Sequence, residues 1–236
     1  SGSSRKVRIL LDALEGRPAR YLALDISKAH LIASAETLAE DYPNLEVHAV
    51  CADYTQEVEL PDAALAGAGR KVAFFPGSTI GNFSPPQAER FLRTSAHMVG
   101  AGGAMLIGVD LKKDRRVLDA AYNDSDGVTE EFNLNLLRRL NRELAADFDL
   151  SAFQHQAFYN EAEGRIEMHL ESMRDQCVRI GGARIPFQAG ETIHTESSHK
   201  FHVEEFQEMA SRCGFEPEHA WTDERERFSL HWLEAV

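Results

Sequence analysis

Residues 71–82, Lys71-Val-Ala-Phe-Phe-Pro-Gly-Ser-Thr-Ile-Gly-Asn82, hold the transition that decides the fold. The apolar run Val72 to Phe75 reads as a strand buried on both faces, and Pro76-Gly77 ends it in a glycine-containing turn. A helix is expected from about Pro86 to Met98, because proline is tolerated in the first helical turn. Buried strand, turn and helix in succession are the repeating unit of a parallel α/β sheet.

The unit recurs on both sides of this stretch. Upstream, Val7, Leu10, Leu11 and Leu14 fall at helical spacing, and Tyr21-Leu-Ala-Leu24 is a short strand closed by Asp25. Ser27 then stands as the N-cap of a helix through about Glu40, and Leu45 to Val50 alternates as a strand that ends at Cys51-Ala-Asp53-Tyr54. Downstream, the breaker Gly100-Ala-Gly-Gly103 leads into the strand Ala104 to Val109, closed by Asp110.

From about Lys112 the rhythm changes. A long helical pattern from Thr129 to about Asp147 precedes strand-like pieces at 155–159, 165–170 and 177–180, which read as an inserted α+β lobe. A helix from Val203 to Cys213, stopped by Gly214, and two strands at 215–221 and 228–233 return to the first domain. The expectation is therefore a Rossmann-like α/β domain of residues 1–111 and 201–236, an inserted lobe of residues 112–200, and a ligand cleft between them.

Composition narrows the partners. With 38 acidic against 25 basic residues, the formal net charge of -13 repels a phosphate backbone, so no nucleic acid is expected. No apolar run approaches the ~20 residues of a membrane span, and no signal-like segment opens the chain, so the expectation is a cytoplasmic protein without a membrane partner. Cys51, Cys177 and Cys213 are too scattered for a disulfide framework, and His194, His199 and His202 lack an acid-flanked ligand spacing, so no metal is expected.

In open parallel sheets, ligands bind beyond the carboxyl ends of the strands, and those ends carry Asp25, Asp53 and the stretch Gly77 to Asn82. A carboxylate such as Asp25 accepts from both hydroxyls of a ribose, while Asp53 with Tyr54 suits an adenine. Gly2, in a turn before a helix, lets a cofactor approach the backbone. By itself this pattern defines a nucleoside-containing cofactor, and a nicotinamide enzyme would show the same features. Asn82 can donate and accept toward an amino acid head group, or serve only as a turn residue. Taken alone, Tyr122 reads as a core or lobe-interface aromatic, and Glu196 and Ser198 as solvated loop residues.

Five stretches together change that reading: Ser1-Gly-Ser-Ser-Arg-Lys6, Phe74 to Asn82, Ala121-Tyr-Asn-Asp-Ser-Asp-Gly-Val-Thr129, Asn141 to Asp149, and Thr195-Glu-Ser-Ser-His-Lys-Phe201. In both lobes and in this order, the chain resembles the histidine-specific, S-adenosylmethionine-dependent methyltransferases of ergothioneine biosynthesis. The resemblance implies that Asp25 and Asp53 with Tyr54 hold the adenosine of S-adenosylmethionine, and that Gly2, Lys6, Gly77 and Ser78 surround its methionine part. It implies further that Asn82 and Tyr122 hold the α-amino and carboxylate groups of the small-molecule substrate L-histidine, and that Glu196 and Ser198 grip the imidazole. A carboxylate facing one ring N–H and a hydroxyl at the other nitrogen would select such a ring over an aliphatic chain.

The family carries a strand and an acidic residue ahead of the glycine turn, and a further N-terminal segment that contributes to the substrate lobe. Their absence from the quoted sequence sets the expectation that the N-terminal part of the family fold is missing here and that the native protein continues upstream. Two other readings stay open at this point: a methyltransferase acting on another amino acid or small amine, and a cofactor-binding module without turnover.

Overall fold

The computed structural model describes residues 5–14, 20–56, 58–65, 67 and 69–236. Gly2 lies outside them. In chain order the first elements are α1 (Arg5–Ala13), β1 (Arg20–Asp25), α2 (Lys28–Asp41), β2 (Glu46–Cys51), α3 (Asp62–Leu65) and β3 (Val72–Phe75). A 3-10 turn (Ser78–Asn82), α4 (Pro85–Val99) and β4 (Ala104–Asp110) follow. Helix α4 starts where Pro85 has no amide to waste, and the Gln87 carboxamide accepts from the Ser84 amide at 2.9 Å.

Between β4 and the chain's return lie α5 (Arg115–Tyr122), α6 (Val128–Leu144), β5 (Phe153–Asn160), β6 (Arg165–Ser172), β7 (Gln176–Ile180), β8 (Ala183–Phe187) and β9 (Thr192–His199). The last elements are α7 (Val203–Ser211), β10 (Phe215–Thr222) and β11 (Phe228–Ala235). Strands β5, β6 and β9 form one antiparallel sheet, and β7 pairs with β8 in a hairpin.

The parallel sheet expected from the alternating pattern is present as two ladders. Strands β1 and β2 pair in parallel, while β10-β11-β4-β3 form a mixed sheet in which β3 and β4 run parallel and β11 runs antiparallel to its neighbours. Among the described residues, α1 ties the two together: Val7 and Leu11 pack with Leu38 of α2 and also with Phe74 of β3. The main core lies between α4, α7 and the mixed sheet, where Ile80, Leu92, Met105, Ile107, Phe206 and Leu233 are almost wholly buried. Burial of such side chains contributes about 1.5–3 kcal/mol each, so this cluster dominates the stability of the half that carries the strand ends.

Three expectations shift. The helix predicted over 129–147 ends earlier: Ala145 turns left-handed at φ 49°, and the Asn141 side chain bonds both the amide and the carbonyl of Phe148 at 2.8 Å. Helix α5 occupies a stretch read only as a change of rhythm, because its apolar stripe is short and flanked by Lys112, Lys113, Arg115 and Arg116. Strand β9 replaces the solvated loop expected around Glu196 and Ser198. No described helix is long and apolar enough to cross a membrane.

Candidate active site

The parallel register of β1 and β2 sets Asp25 opposite Cys51, so the turn carrying Asp53 and Tyr54 begins beside the Asp25 carboxylate. Asp25 Oδ1 accepts from the Ser27 amide at 2.9 Å. Asp53 Oδ1 accepts from the Thr55 hydroxyl at 2.7 Å and from its amide at 2.9 Å, and these bonds hold its carboxyl below the usual range. Tyr54 packs edge-on against Phe75 and Phe91. Burial raises its phenol pKa, and the charges of Asp25 and Asp53 raise it further, so the three residues share one neighbourhood.

The end of β3 faces the same side. Lys6 Nζ donates to the Pro76 carbonyl at 3.3 Å, which sets this lysine next to Gly77. Ser78 Oγ accepts from the Asp110 amide at 2.9 Å and so joins the ends of β3 and β4. Gly108 lets these strands close up at this point: a Cβ there would meet the Pro76 carbonyl oxygen at 2.5 Å.

Gly81 performs a similar service toward the other lobe. A Cβ at this position would meet the His199 carbonyl oxygen at 2.6 Å and Ser198 Oγ at 3.4 Å, and the His199 ring donates from Nδ1 to the Gly81 carbonyl at 3.0 Å. This close approach carries the exposed Asn82 up to the end of β9. Sequence reasoning valued Gly81 only as part of a turn; the contact that requires it comes from 118 residues away.

On β9, Glu196 pairs opposite Met168 and Ser198 opposite Ile166, so all four lie on one face of the sheet. Ser198 is buried at 4% exposure, and Tyr122, at the end of α5, donates to its Oγ at 3.0 Å. Burial pushes the Glu196 carboxyl up, opposed by the positive charge of Lys200. Lys200 itself, 2% exposed, reaches Ser198 Oγ at 2.8 Å, Tyr122 Oη at 3.0 Å and Asp110 Oδ2 at 2.8 Å. Asp110 also pairs with Lys113. Lys200 lies in the quoted stretch Thr195 to Phe201 without a role there, because its partners Asp110 and Tyr122 are brought to it by the fold.

Tyr122 is also fixed through its backbone. His155 Nε2 donates to the Tyr122 carbonyl at 2.8 Å, and the buried Asn133 donates to His155 Nδ1 at 2.9 Å and to the His169 carbonyl at 3.0 Å. In the adjoining turn, Asp124 accepts from the amides of Val128 and Thr129 in the first turn of α6, and the Thr129 hydroxyl together with these amides holds its carboxyl down at about 2.

The structure therefore brings Tyr122, Ser198 and Glu196 together, sets Gly81, the residue before Asn82, against Ser198 and His199, and gathers Lys6, Asp25, Asp53, Tyr54, Gly77 and Ser78 at the ends of β1, β2 and β3. The opposite face of the β5-β6-β9 sheet carries Glu167, His169 and His194, whose ligand atoms lie within 4.8 Å of one another. Arg165 already pairs with Glu167 at 2.8 Å, and the rings of His169 and His194 stack at 4.6 Å on each other.

Solved structures with the same architecture include methyltransferases, one of them described as S-adenosylmethionine-dependent. One from Clostridium acetobutylicum superposes with a TM-score of 0.52 at 10% identity, over 96% of this chain and 79% of that one. The CcbJ methyltransferase of Streptomyces caelestis does so with a TM-score of 0.52 at 14% identity, over 100% and 90% respectively. The fold is thus the Rossmann-like methyltransferase fold. A sequence profile described as "Histidine-specific methyltransferase, SAM-dependent" matches residues 1–235, and the chain belongs to that family. It is 41% identical over 235 residues to the histidine N-alpha-methyltransferase of Mycobacterium tuberculosis (strain CDC 1551 / Oshkosh), a match that spans 98% of this chain and 72% of that protein. It is also 32% identical over 240 residues to ergothioneine biosynthesis protein 1 of Neurospora crassa, over 99% of this chain and 26% of that protein. The protein is an S-adenosylmethionine-dependent methyltransferase.

Proposed function

We propose that this protein transfers methyl groups from S-adenosylmethionine to the α-amino group of free L-histidine, three times over, to give the betaine hercynine at the first step of ergothioneine biosynthesis. The observation that carries the reading of the acceptor is the meeting of Tyr122, Ser198 and Glu196 on one face, with Gly81, the neighbour of Asn82, packed against Ser198. A carboxylate and a hydroxyl two residues apart on one strand match the N–H and the lone pair of a neutral imidazole. Family membership over residues 1–235 supports both donor and acceptor.

In this reading the division of labour follows the two parts of the chain. Residues 1–111 and 201–236 hold the donor: Asp25 takes the ribose hydroxyls, Asp53 and Tyr54 the adenine, and Gly2, Lys6, Gly77 and Ser78 the methionine part. Residues 112–200 hold the acceptor, with Asn82 reaching across to the α-amine. Tyr122 binds the carboxylate, and Glu196 and Ser198 bind the ring.

The chemistry is an in-line displacement. The amine lone pair forms a bond to the methyl carbon as the carbon–sulfur bond breaks, and the electron pair leaves with sulfur as S-adenosylhomocysteine. Each further methylation needs the ammonium product to lose a proton to water or a nearby polar group first. The protein's share is chiefly positioning, which for well-oriented partners is worth about 7–11 kcal/mol of barrier. Mass spectrometry of L-histidine incubated with S-adenosylmethionine and the protein tests the reading. Successive gains of one, two and three methyl groups are expected; unchanged histidine, with the donor bound, would overturn it.

A further inference from the structure

The ladder between β6 and β9 slips at one place. Ser198 pairs opposite Ile166, Ser197 opposite Glu167 and Glu196 opposite Met168, but the next residue of β6, His169, pairs opposite His194. Thr195 is therefore an extra residue, a β-bulge, and it stands directly before the carboxylate assigned to the acceptor ring. Residues two apart on a regular strand share a face; His194 and Glu196 do not, because the bulge separates them.

Pairing alone does not require this residue. With Thr195 left out, the same partners on either side would form an unbroken ladder, with Ile193 still opposite the buried Leu170 and Glu196 still opposite Met168. A bulge forfeits regular ladder bonding and adds bend and right-handed twist to its strand at that point. This one is braced twice. The Thr195 hydroxyl donates across the ladder to the Met168 carbonyl at 2.9 Å, and His194 Nε2 donates to the Glu196 carbonyl at 3.0 Å, which fixes the proton on that nitrogen. The His194 ring is held in turn by stacking on His169, 4.6 Å between centroids, and His169 stacks on Phe158 at 5.3 Å. The Glu196 carboxylate, by contrast, accepts no hydrogen bond from another described residue, so the backbone that carries it sets its direction.

We propose that the bulge aims the Glu196 carboxylate at the acceptor ring, with Thr195 and His194 as the positioning residues that hold it. The inference rests on the histidine reading and deepens it: the ring-binding group is placed by a local distortion of β9, braced across the ladder by Thr195 and from the opposite face of the sheet by His194.

The test is a double-mutant cycle, read by titration calorimetry with L-histidine in the presence of S-adenosylhomocysteine. Thr195→Val keeps the β-branched shape and removes the hydroxyl, and loss of that bond is expected to weaken histidine binding about three- to tenfold. Thr195→Ser, which retains the donor, is expected to stay within about twofold of the wild type. In a Glu196→Ala background, Thr195→Val is expected to change the affinity by less than about 1.5-fold, because the group it positions is gone. Affinity for S-adenosylhomocysteine alone is expected to hold within about twofold throughout. A general distortion of the lobe weakens histidine equally in both backgrounds; that result overturns the proposal, and so does an unchanged affinity in Thr195→Val. If Thr195→Val does not fold, His194→Phe, which keeps the ring stack and loses the donor, is carried through the same cycle with the same expectations. A wild-type protein that binds no histidine, or a Glu196→Ala variant that binds it normally, marks instead the failure of the histidine reading, and the positioning role falls with it.

Discussion

Replacing Glu196 with alanine separates recognition of the acceptor ring from binding of the donor. Glu196 lies on the same face of β9 as Ser198, partly buried, and burial raises its carboxyl pKa while Lys200 opposes the rise. A hydrogen bond to a charged acceptor contributes about 1.5–3 kcal/mol, and its loss leaves the ring N–H without a partner. Because Glu196 is not fully shielded from water, the lower half of that range applies: about 1.5–2 kcal/mol, or about 10- to 30-fold in affinity. Titration calorimetry with histidine in the presence of S-adenosylhomocysteine gives the first number, and titration with S-adenosylhomocysteine alone gives the control. The expected outcome for Glu196→Ala is weaker histidine binding by that factor with the nucleoside affinity unchanged. Loss of both affinities together would refute the assignment, since Asp25, Asp53, Gly77 and Ser78, proposed for the donor, lie at the ends of β1, β2 and β3 while Glu196 lies on β9.

Two further outcomes follow from contacts around the acceptor residues. Gly81→Ala places a Cβ 2.6 Å from the His199 carbonyl oxygen, a backbone atom, so β9 must move; a loss of about 1–3 kcal/mol in urea melts and a raised KM for histidine are expected. Asp124 has a folded-state carboxyl pKa of about 2, below the ordinary value near 3.8. A depressed carboxylate stabilises above its unfolded pKa and loses that contribution as pH falls through the folded one. Asp124→Ala should therefore lower Tm at pH 7, and the gap to the wild type should narrow between pH about 4 and about 2 in thermal melts. A constant gap across that interval would mean that the bonds to Val128 and Thr129 are not the source.

The half that carries the strand ends was legible from its short apolar runs, each of which ends at a turn or carboxylate that marks its carboxyl end. Ala104 to Val109 is buried as expected, whereas Val72 to Phe75, expected to be buried on both faces, is not: β3 lies at the edge of the described mixed sheet, with Val72 exposed and the next three residues half-buried. The acceptor face was not legible from residue pattern. The alternation of Thr192-Ile-His-Thr-Glu-Ser-Ser-His199 is interrupted by a β-bulge at Thr195, and the positions sharing a face with Ile166 and Met168 include Glu196 and Ser198, so no apolar period announces a strand. Those residues share the face of Ile166 and Met168, and a strand with polar side chains on that face looks like a polar loop. Resemblance to a family supplied what periodicity lacked there. Lys200 was quoted within a motif without a role, because its three partners stand 90, 78 and 2 residues away and meet only after folding.

This arrangement separates what the enzyme uses from what it chooses. Asp25, Asp53, Tyr54, Gly77 and Ser78, proposed for the donor, sit at the ends of β1, β2 and β3, fixed by Thr55, Ser27 and the Ser78–Asp110 bond. The ring-facing groups sit on a different sheet, connected to the first half through the Gly81–His199 contact and the crossing at Asp110 to Lys112 and Lys200 to Phe201. A side chain on β9 can therefore change without moving a donor residue, whereas a change at Gly81 or Asp110 moves the two sets relative to each other. Selectivity for the acceptor should accordingly be adjustable at positions 196 and 198, with kcat/KM ratios between ring substrates shifting while the donor's KM holds. Substitutions at Gly81 should instead depress turnover of every acceptor alike, because in-line displacement depends on the distance between the two sets and not on the identity of the ring.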